Sequence, residues 1–172
     1  MPGRALTSSY RAPAWLAGGH AQTIYPFLLR RAAVRFRRER VDTPDGDFWE
    51  FDWLDSGGDA DARLVVLFHG LEGGSGSHYA RALMAELQRR GWRGVIPHFR
   101  GCAGTPNLTP RAYHSGDHEE VGRLLDAVRA RMPAARLHAV GVSLGGSALL
   151  NWLGRAGASA AEVLESAAAV SA

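Results

Sequence analysis

Between residues 63 and 172, short continuous apolar runs alternate with longer stretches whose apolar residues recur at helical spacing. The runs are RLVVLF (63–68), GVIPHF (94–99) and LHAVGV (137–142), and AAAVSA (167–172) is a fourth. Strands covered by helices on both faces have such sequences, because neither side of the strand meets water. The alternation therefore predicts an α/β fold with a mostly parallel sheet and right-handed crossovers.

Helices are predicted between these strands. One runs from His78 to Arg90 with Gly91 as its C-cap. A second opens at Asp117, which with Glu120 forms a predicted capping pair, and ends before Pro133. A third covers GGSALLNWLG (145–154). Ahead of them, residues 34–41 and 48–54 predict an N-terminal antiparallel hairpin, because Asp45-Gly46 supplies the residue with positive φ that its turn needs.

The composition is that of a globular protein. The 172 residues are 46% hydrophobic and 22% charged, which suits one sizeable core and predicts a single domain over 1–172 with residues 1–33 as an N-terminal arm. Every basic residue is arginine, and six arginines lie between Arg30 and Arg40. They could form a patch for phosphate or an anionic surface, but their alternation with Val34, Phe36 and Val41 favours the solvated face of a strand, and we expect no nucleic-acid partner.

The chain has one cysteine, Cys102, which excludes an internal disulfide and fits a reducing compartment. The N-terminal APAWLAGG is too short and too broken by Pro and Gly for a signal peptide. No segment approaches the ~20 apolar residues of a transmembrane helix. These features predict a cytoplasmic protein without an integral membrane segment.

The segment Gly141-Val142-Ser143-Leu144-Gly145 follows a predicted strand and opens a predicted helix. A serine hydroxyl is a poor nucleophile at neutral pH, and a sharp strand-to-helix turn presents it above the end of the sheet. Glycines two residues before and after avoid clashes in such a turn. The helix behind Ser143 directs its N-terminal amides at the site, so the Leu144 N–H can stabilise an oxyanion. The alternative is an ordinary glycine-rich turn, which the context disfavours.

A glycine-rich loop, LFHGLEGGSGSHY (67–79), follows another predicted strand. Hydrolases with a strand-to-helix nucleophile turn take a second oxyanion N–H from such a loop, and Leu71, directly after His69-Gly70, is the predicted donor. A phosphate-binding loop is the alternative. It is disfavoured because the segment lacks Gly-Lys-Ser/Thr and the G-x-G-x-x-G spacing.

Seven histidines are present, and two of them, His69 and His98, lie at predicted strand ends on the same sheet edge as Ser143. Hydrogen bonding within loops is the favoured role for both. His114 and His118 have a spacing that would suit a metal if helical, but no third ligand is evident. The sequence therefore predicts neither a metal site nor a cofactor.

Five segments together resemble the α/β-hydrolase superfamily and, within it, the YheT-like branch. They are GGHAQTIYP (18–26), HGLEGGSGSHY (69–79), HFRGCAGTPN (98–107), YHSGD (113–117) and GVSLGG (141–146). The resemblance implies a serine hydrolase of carboxylic esters, either short-chain or lipid and acylglycerol esters, with an ester as its small-molecule partner. His98 stands where many relatives have Asp, and Arg100 with Gly101 is interpreted as shaping its loop.

The resemblance also implies that this chain matches only the first part of such an enzyme, truncated after about the sixth strand. In the superfamily the catalytic acid and histidine follow the nucleophile on later strands, and this sequence ends one predicted strand after Ser143. Two hypotheses follow: an esterase whose acid and base lie outside these residues, or an inactive remnant or binding form. The strand at 167–172 would then be an exposed edge, which predicts self-association.

Overall fold

The computed structural model describes residues 9–28, 33–54 and 63–172. The chain divides into two compact units, residues 1–31 and residues 32–172. The smaller unit contains a 3-10 turn, Ala14–Leu16, and helix α1, Gly19–Leu28, in which the rings of Trp15 and Tyr25 meet edge to face at 5.1 Å. The sequence did not predict α1, because Gly18-Gly19 and Pro26 are poor helix formers.

The larger unit is built on one six-stranded sheet. Its strands are β1 (Phe36–Asp42), β2 (Phe48–Leu54), β3 (Arg63–Phe68), β4 (Arg93–His98), β5 (Arg136–Val142) and β6 (Ser166–Val170), and its helices are α2 (His78–Arg89), α3 (His118–Arg131), α4 (Leu144–Ala156) and α5 (Ala160–Val163). The strand order is β1-β2-β4-β3-β5-β6. Strands β3, β4, β5 and β6 pair in parallel, while β1 pairs antiparallel with β2 and β2 with β4. The predicted fold class is confirmed, with strand boundaries shifted by one or two residues.

The core lies on both faces of this sheet. On one face the apolar residues of α3 and α4, including Val121, Leu124 and Leu149, pack against the central strands. On the other face Ala80, Met84 and Leu87 of α2 pack against Val65 and Leu67 of β3. Strand β3 is buried after its first residue, as its continuous apolar sequence requires. Strand β2 is buried throughout, although it contains Glu50 and Asp52.

The arginines of β1 form ion pairs and contact the neighbouring strand β2. The Arg38 guanidinium donates two hydrogen bonds to the Asp52 carboxylate at 2.7 and 2.8 Å, and Arg40 pairs with Glu50 at 3.0 Å. Arg40 also lies over the Phe48 ring at 3.8 Å. Because these charges have partners within the sheet, they support the strand-face interpretation for Arg38 and Arg40, while Arg30 and Arg31 lie outside the described residues.

A buried guanidinium, that of Arg100, holds the loop after β4. It pairs with Asp45 at 2.9 Å, Asp47 at 3.0 Å and Glu120 at 2.8 Å, and its side chain is 1% exposed. Burial alone would lower the pKa of Arg100, but the three carboxylates outweigh it and raise the pKa. Hydrogen bonds from the Leu108 N–H and other donors likewise overcome burial and lower the pKa of Asp47 to about 2.

The predicted capping pair of α3 is confirmed in one direction only. The Asp117 carboxylate accepts a hydrogen bond from the Glu120 N–H at 3.3 Å. The Glu120 side chain instead turns into the core, where it accepts hydrogen bonds from the Trp49 indole at 2.6 Å and from Arg100. A buried guanidinium attracts the carboxylate more strongly than an exposed backbone amide does, and the sequence did not reveal this competition.

Strand β6 forms the outer edge of the sheet, and all five of its residues are exposed. Only β5 pairs with it, so the peptide groups on its other side have no strand partner among the described residues. None of the helices within residues 9–28, 33–54 and 63–172 has the length and apolar character that a membrane crossing requires.

We expect Arg100→Ala to lower the free energy of unfolding by about 3–5 kcal/mol, because it leaves buried Asp47 and Glu120 without their cation. Arg123→Ala is the matched control. It removes an exposed pair with Glu119, at 3.6 Å, and should cost at most about 1 kcal/mol. Urea unfolding of both variants measures the difference, and equal midpoints would show that the buried cluster contributes no more than a surface pair.

We expect the 172-residue chain to self-associate through β6, because an unpaired, uncharged edge strand is a template for a second strand. Ala168→Lys places a charge at the middle of that edge and should shift the chain toward monomer in size-exclusion chromatography. Ala161→Lys, at an exposed position of α5, should not. A monomeric 18.5 kDa wild-type chain with a sharp thermal transition would contradict the expectation.

Candidate active site

Ser143 occupies the turn between β5 and α4, at the carboxyl end of the sheet. Its φ of 52° and ψ of −119° lie in a region that residues other than glycine rarely adopt. Its side chain makes no capping hydrogen bond to α4, and the residue is exposed. The turn therefore holds a strained serine whose hydroxyl is presented to solvent, the geometry that the G-x-S-x-G segment predicts.

The glycines on either side of Ser143 are required by close backbone packing. A Cβ at Gly141 would lie 2.6 Å from the carbonyl oxygen of Gly145 and the Cα of Gly146. A Cβ at Gly145 would clash with the carbonyl oxygens of Phe68 and His69. The first turn of α4 thus rests directly against the end of β3, and this contact fixes where Ser143 stands.

The amides at the N-terminus of α4 differ in their hydrogen bonds. The Ser143 N–H donates to the Val170 carbonyl at 2.9 Å, and the Ser147 N–H donates to the Ser143 carbonyl at 3.0 Å. Among the described residues, the Leu144 N–H has no backbone acceptor. The first turn of α4 also has no acidic residue, so its positive dipole end is not neutralised locally.

The loop after β3 lies beside Ser143. A Cβ at Gly70 would be 3.3 Å from the Cβ of Ser143 and 3.4 Å from the Val142 carbonyl oxygen. Leu71 follows directly, and within the described parts of the chain its N–H donates no hydrogen bond to the backbone. The structure thus places Leu71, Ser143 and Leu144 at one end of two neighbouring strands, β3 and β5.

His69 is a structural residue of this loop. Its Nδ1 donates to the Gly70 carbonyl at 2.8 Å, and its Nε2 accepts from the Phe99 N–H at 3.1 Å. Burial outweighs the opposing hydrogen bond to Gly70 and, with a smaller contribution from the nearby His98, lowers the pKa of His69 to about 4. The ring is therefore neutral near pH 7, and both of its nitrogens are engaged with the backbone.

His98 is paired with a carboxylate of β2. Its Nε2 lies 2.8 Å from Asp52 Oδ2, and both side chains are 3% exposed. Burial alone would raise the pKa of Asp52, but bonds from Arg38 and His98 outweigh it and hold the pKa below its ordinary value. The sequence did not predict this pair, because the two residues lie 46 positions apart on strands β2 and β4.

His114 and His118, whose spacing was considered for a metal site, form hydrogen bonds with the backbone of Gly116. The His114 ring accepts from the Gly116 N–H, and the His118 Nδ1 lies 3.2 Å from the Gly116 carbonyl oxygen. In the part of the chain that the structure describes, no three His, Cys, Asp or Glu side chains could hold a metal ion together.

Burial raises the pKa of the Cys102 thiol, so this cysteine is not an activated nucleophile.

Two tyrosines contact the Leu71 loop, and sequence reasoning assigned them no role. The Tyr79 hydroxyl accepts from the Gly70 N–H at 2.9 Å, and the Tyr113 hydroxyl accepts from the Glu72 N–H at 2.9 Å. Both belong to the segments that carry the family resemblance. That was the one indication in the sequence that they serve this site.

Comparison with known proteins agrees with this geometry. Residues 63–172 match the profile of the alpha/beta hydrolase fold family. YheT of Escherichia coli (strain K12), a candidate esterase, is 43% identical over 141 residues, which cover 80% of this chain and 41% of YheT. The human phospholipase ABHD3 is 34% identical over 159 residues, covering 88% of this chain and 39% of that protein. The chain thus spans about two fifths of the length of these relatives.

Solved structures support the same fold. A cold-adapted esterase from an Arctic intertidal metagenomic library superposes with a TM-score of 0.60 at 16% identity, over 82% of this chain and 62% of that one. A predicted CIB-like hydrolase from Thermoplasma acidophilum also gives 0.60, at 17% identity over 80% and 63% of the two chains. At these identities the superpositions establish the fold alone. Together with the profile match and the sequence relatives, they show that the chain belongs to the α/β-hydrolase superfamily, in its YheT-like branch.

Proposed function

We propose that this chain carries the nucleophile and the oxyanion hole of a serine hydrolase that cleaves carboxylic esters. The observation that carries the proposal is the strained, exposed Ser143 beside the Leu71 loop, with Gly70 in contact range of its Cβ. Strain of this kind persists only where the surroundings enforce it, and it concentrates at functional sites. The esterase and phospholipase names of the relatives support the same chemistry.

In the proposed mechanism, the Ser143 Oγ attacks the carbonyl carbon of the ester and loses its proton to a general base. The carbonyl oxygen becomes an oxyanion, which accepts hydrogen bonds from the Leu71 and Leu144 N–H groups. The alcohol then leaves as the acyl-enzyme forms, and water releases the acid from Ser143 in a second step. The dipole of α4 adds to the stabilisation of the negative charge.

The general base is not supplied by the histidines at this sheet edge. Both nitrogens of His69 bind backbone groups, and the His98 side chain is only 3% exposed, with its Nε2 paired to Asp52. We place the base and its acid partner in the part of the relatives' length that this chain does not span. The 172 residues alone should therefore have almost no hydrolytic activity.

The substrate proposed is an ester with an apolar acyl chain, short or derived from a lipid. The Leu71 side chain, 68% exposed, lies next to the nucleophile turn and offers an apolar surface to such a chain. An apolar surface suits an acyl chain, because burying the chain against it is favourable in free energy and requires no specific hydrogen bond.

In the complete gene product that contains these residues, Ser143→Ala should lower kcat on a short-chain chromogenic ester by roughly 10⁴–10⁶-fold, the usual loss when a nucleophile is removed. Ser147→Ala, one turn further along α4, is the matched control and should leave turnover unchanged. Turnover that survives Ser143→Ala would contradict the proposal. No turnover by the complete product would favour a non-catalytic binding form, and Ser143-dependent turnover by the 172 residues alone would show that one of their histidines acts as base.

Titration of His69 should make the free energy of unfolding, and not the rate of hydrolysis, depend on pH. Because its folded pKa of about 4 lies below the ordinary 6.5, the unfolded chain binds a proton between these values and the folded chain does not. The free energy of unfolding should therefore fall as the pH drops from 6.5 to 4, by about 3 kcal/mol in all. His69→Gln, which keeps a donor and an acceptor but does not titrate, should lose this slope in urea unfolding at stepped pH, while His114→Gln should keep it. An unchanged slope in His69→Gln would assign the titration to another group.

A further inference from the structure

Of three consecutive amides in the loop after β3, the first and the third donate hydrogen bonds to tyrosine hydroxyls. The Gly70 N–H donates to the Tyr79 hydroxyl at 2.9 Å, and the Glu72 N–H donates to the Tyr113 hydroxyl at 2.9 Å. The Leu71 N–H between them has no acceptor in the backbone that the structure describes. Leu71 is an exposed residue, so this N–H is open to solvent and to a substrate oxygen.

The loop is closed as a tight turn around Leu71. The Gly73 N–H donates to the Gly70 carbonyl at 2.9 Å, and the His69 ring donates to the same oxygen. Glu72 has a φ of 51°, in the left-handed region that an ordinary residue enters at a cost. The Tyr113 hydroxyl also lies 3.1 Å from a Glu72 carboxylate oxygen, so it contacts both the backbone and the side chain of the strained residue.

Both tyrosines are themselves held in place. The Tyr113 ring stacks on Phe99 with 5.3 Å between centroids and 4° between planes. The Tyr79 hydroxyl fits behind the loop because Gly73 has no side chain, since a Cβ there would lie 2.6 Å from that oxygen. Each hydroxyl therefore reaches the loop from a different element, Tyr79 from α2 and Tyr113 from the segment after β4.

We propose that Tyr79 and Tyr113 are positioning residues for the oxyanion hole: their hydroxyls fix the amides on either side of Leu71, so that the Leu71 N–H alone stays free for the substrate oxygen. This rests on the proposed function of Ser143. Preorganised donors stabilise an oxyanion because they need not reorient during the reaction. With either hydroxyl removed, the peptide group next to Leu71 can rotate, and the Leu71 N–H loses its fixed direction.

Tyr79→Phe and Tyr113→Phe remove only the hydroxyls and keep both rings. In the complete gene product, each should lower kcat roughly 10-fold with KM nearly unchanged, a fraction of the 10²–10³-fold that loss of a whole oxyanion donor costs. Ser159→Ala is the matched control, because it removes a single hydroxyl that donates to the Ala156 carbonyl at 2.8 Å just beyond the far end of α4, and it should keep wild-type kcat. A structural defect alone would instead lower the amount of active enzyme, which active-site titration corrects for.

Two further measurements separate positioning from general destabilisation. Affinity for a trifluoromethyl ketone, which forms an oxyanion adduct with the nucleophile, should fall in step with kcat, while affinity for the matching unreactive alkyl amide should not. Leu71→Pro lacks the N–H itself, and proline suits this position of a turn whose next residue has positive φ. In that background, Tyr113→Phe should cause no further loss of kcat.

Amide hydrogen exchange tests the geometry in the 172-residue chain. Tyr113→Phe should speed exchange of the Glu72 amide and leave that of Gly70 unchanged, and Tyr79→Phe should do the reverse. If Ser143→Ala inactivates the enzyme but both Phe variants keep wild-type kcat, the positioning proposal is overturned and the proposed function is not. Activity that does not depend on Ser143, or no activity at all, would overturn the proposed function and this proposal with it.

Discussion

The site depends on one buried cation, Arg100. Its guanidinium lies between the hairpin turn that carries Asp45 and Asp47 and the first turn of α3 that carries Glu120. Asp47 also accepts hydrogen bonds from Leu108 and Thr109, further along the same loop. Loss of any of these partners would leave a buried charge unpaired, at a large cost in free energy of unfolding. The loop from 99 to 117 is therefore fixed at both ends.

That loop is connected to the proposed reaction centre through Tyr113. Its ring stacks on Phe99, and its hydroxyl reaches the loop after β3 at Glu72. The Phe99 N–H also donates to the His69 ring, which in turn binds the Gly70 carbonyl. Two routes of hydrogen bonds therefore join the loop after β4 to the peptide groups around Leu71. Hydrogen-bond networks of this kind are rigid, and rigidity is what the proposed oxyanion hole requires.

The nucleophile turn uses a different device, direct contact between backbones. Gly145 lets the start of α4 rest on the carbonyl oxygens at the end of β3, where no side chain would fit. The same contact places Ser143 beside Gly70 and maintains its positive φ. Strain at one residue is tolerable because the packing of a strand, a turn and a helix around it outweighs a cost of about 1–3 kcal/mol.

The sequence by itself determined the order of the strands and of helices α2, α3 and α4, and the place of Ser143 among them. Continuous apolar runs and helical spacing are local patterns, and a G-x-S-x-G segment between them has few structural solutions. It also indicated Leu71, through the position of the glycine-rich loop. It did not determine the partners of charged and hydroxyl groups, because these pair across the sheet. Asp52 with His98, Arg100 with Glu120, and Tyr113 with Glu72 are separated by 46, 20 and 41 positions. Only the tertiary structure decided them, since a buried polar group takes whichever partner the packing brings within reach.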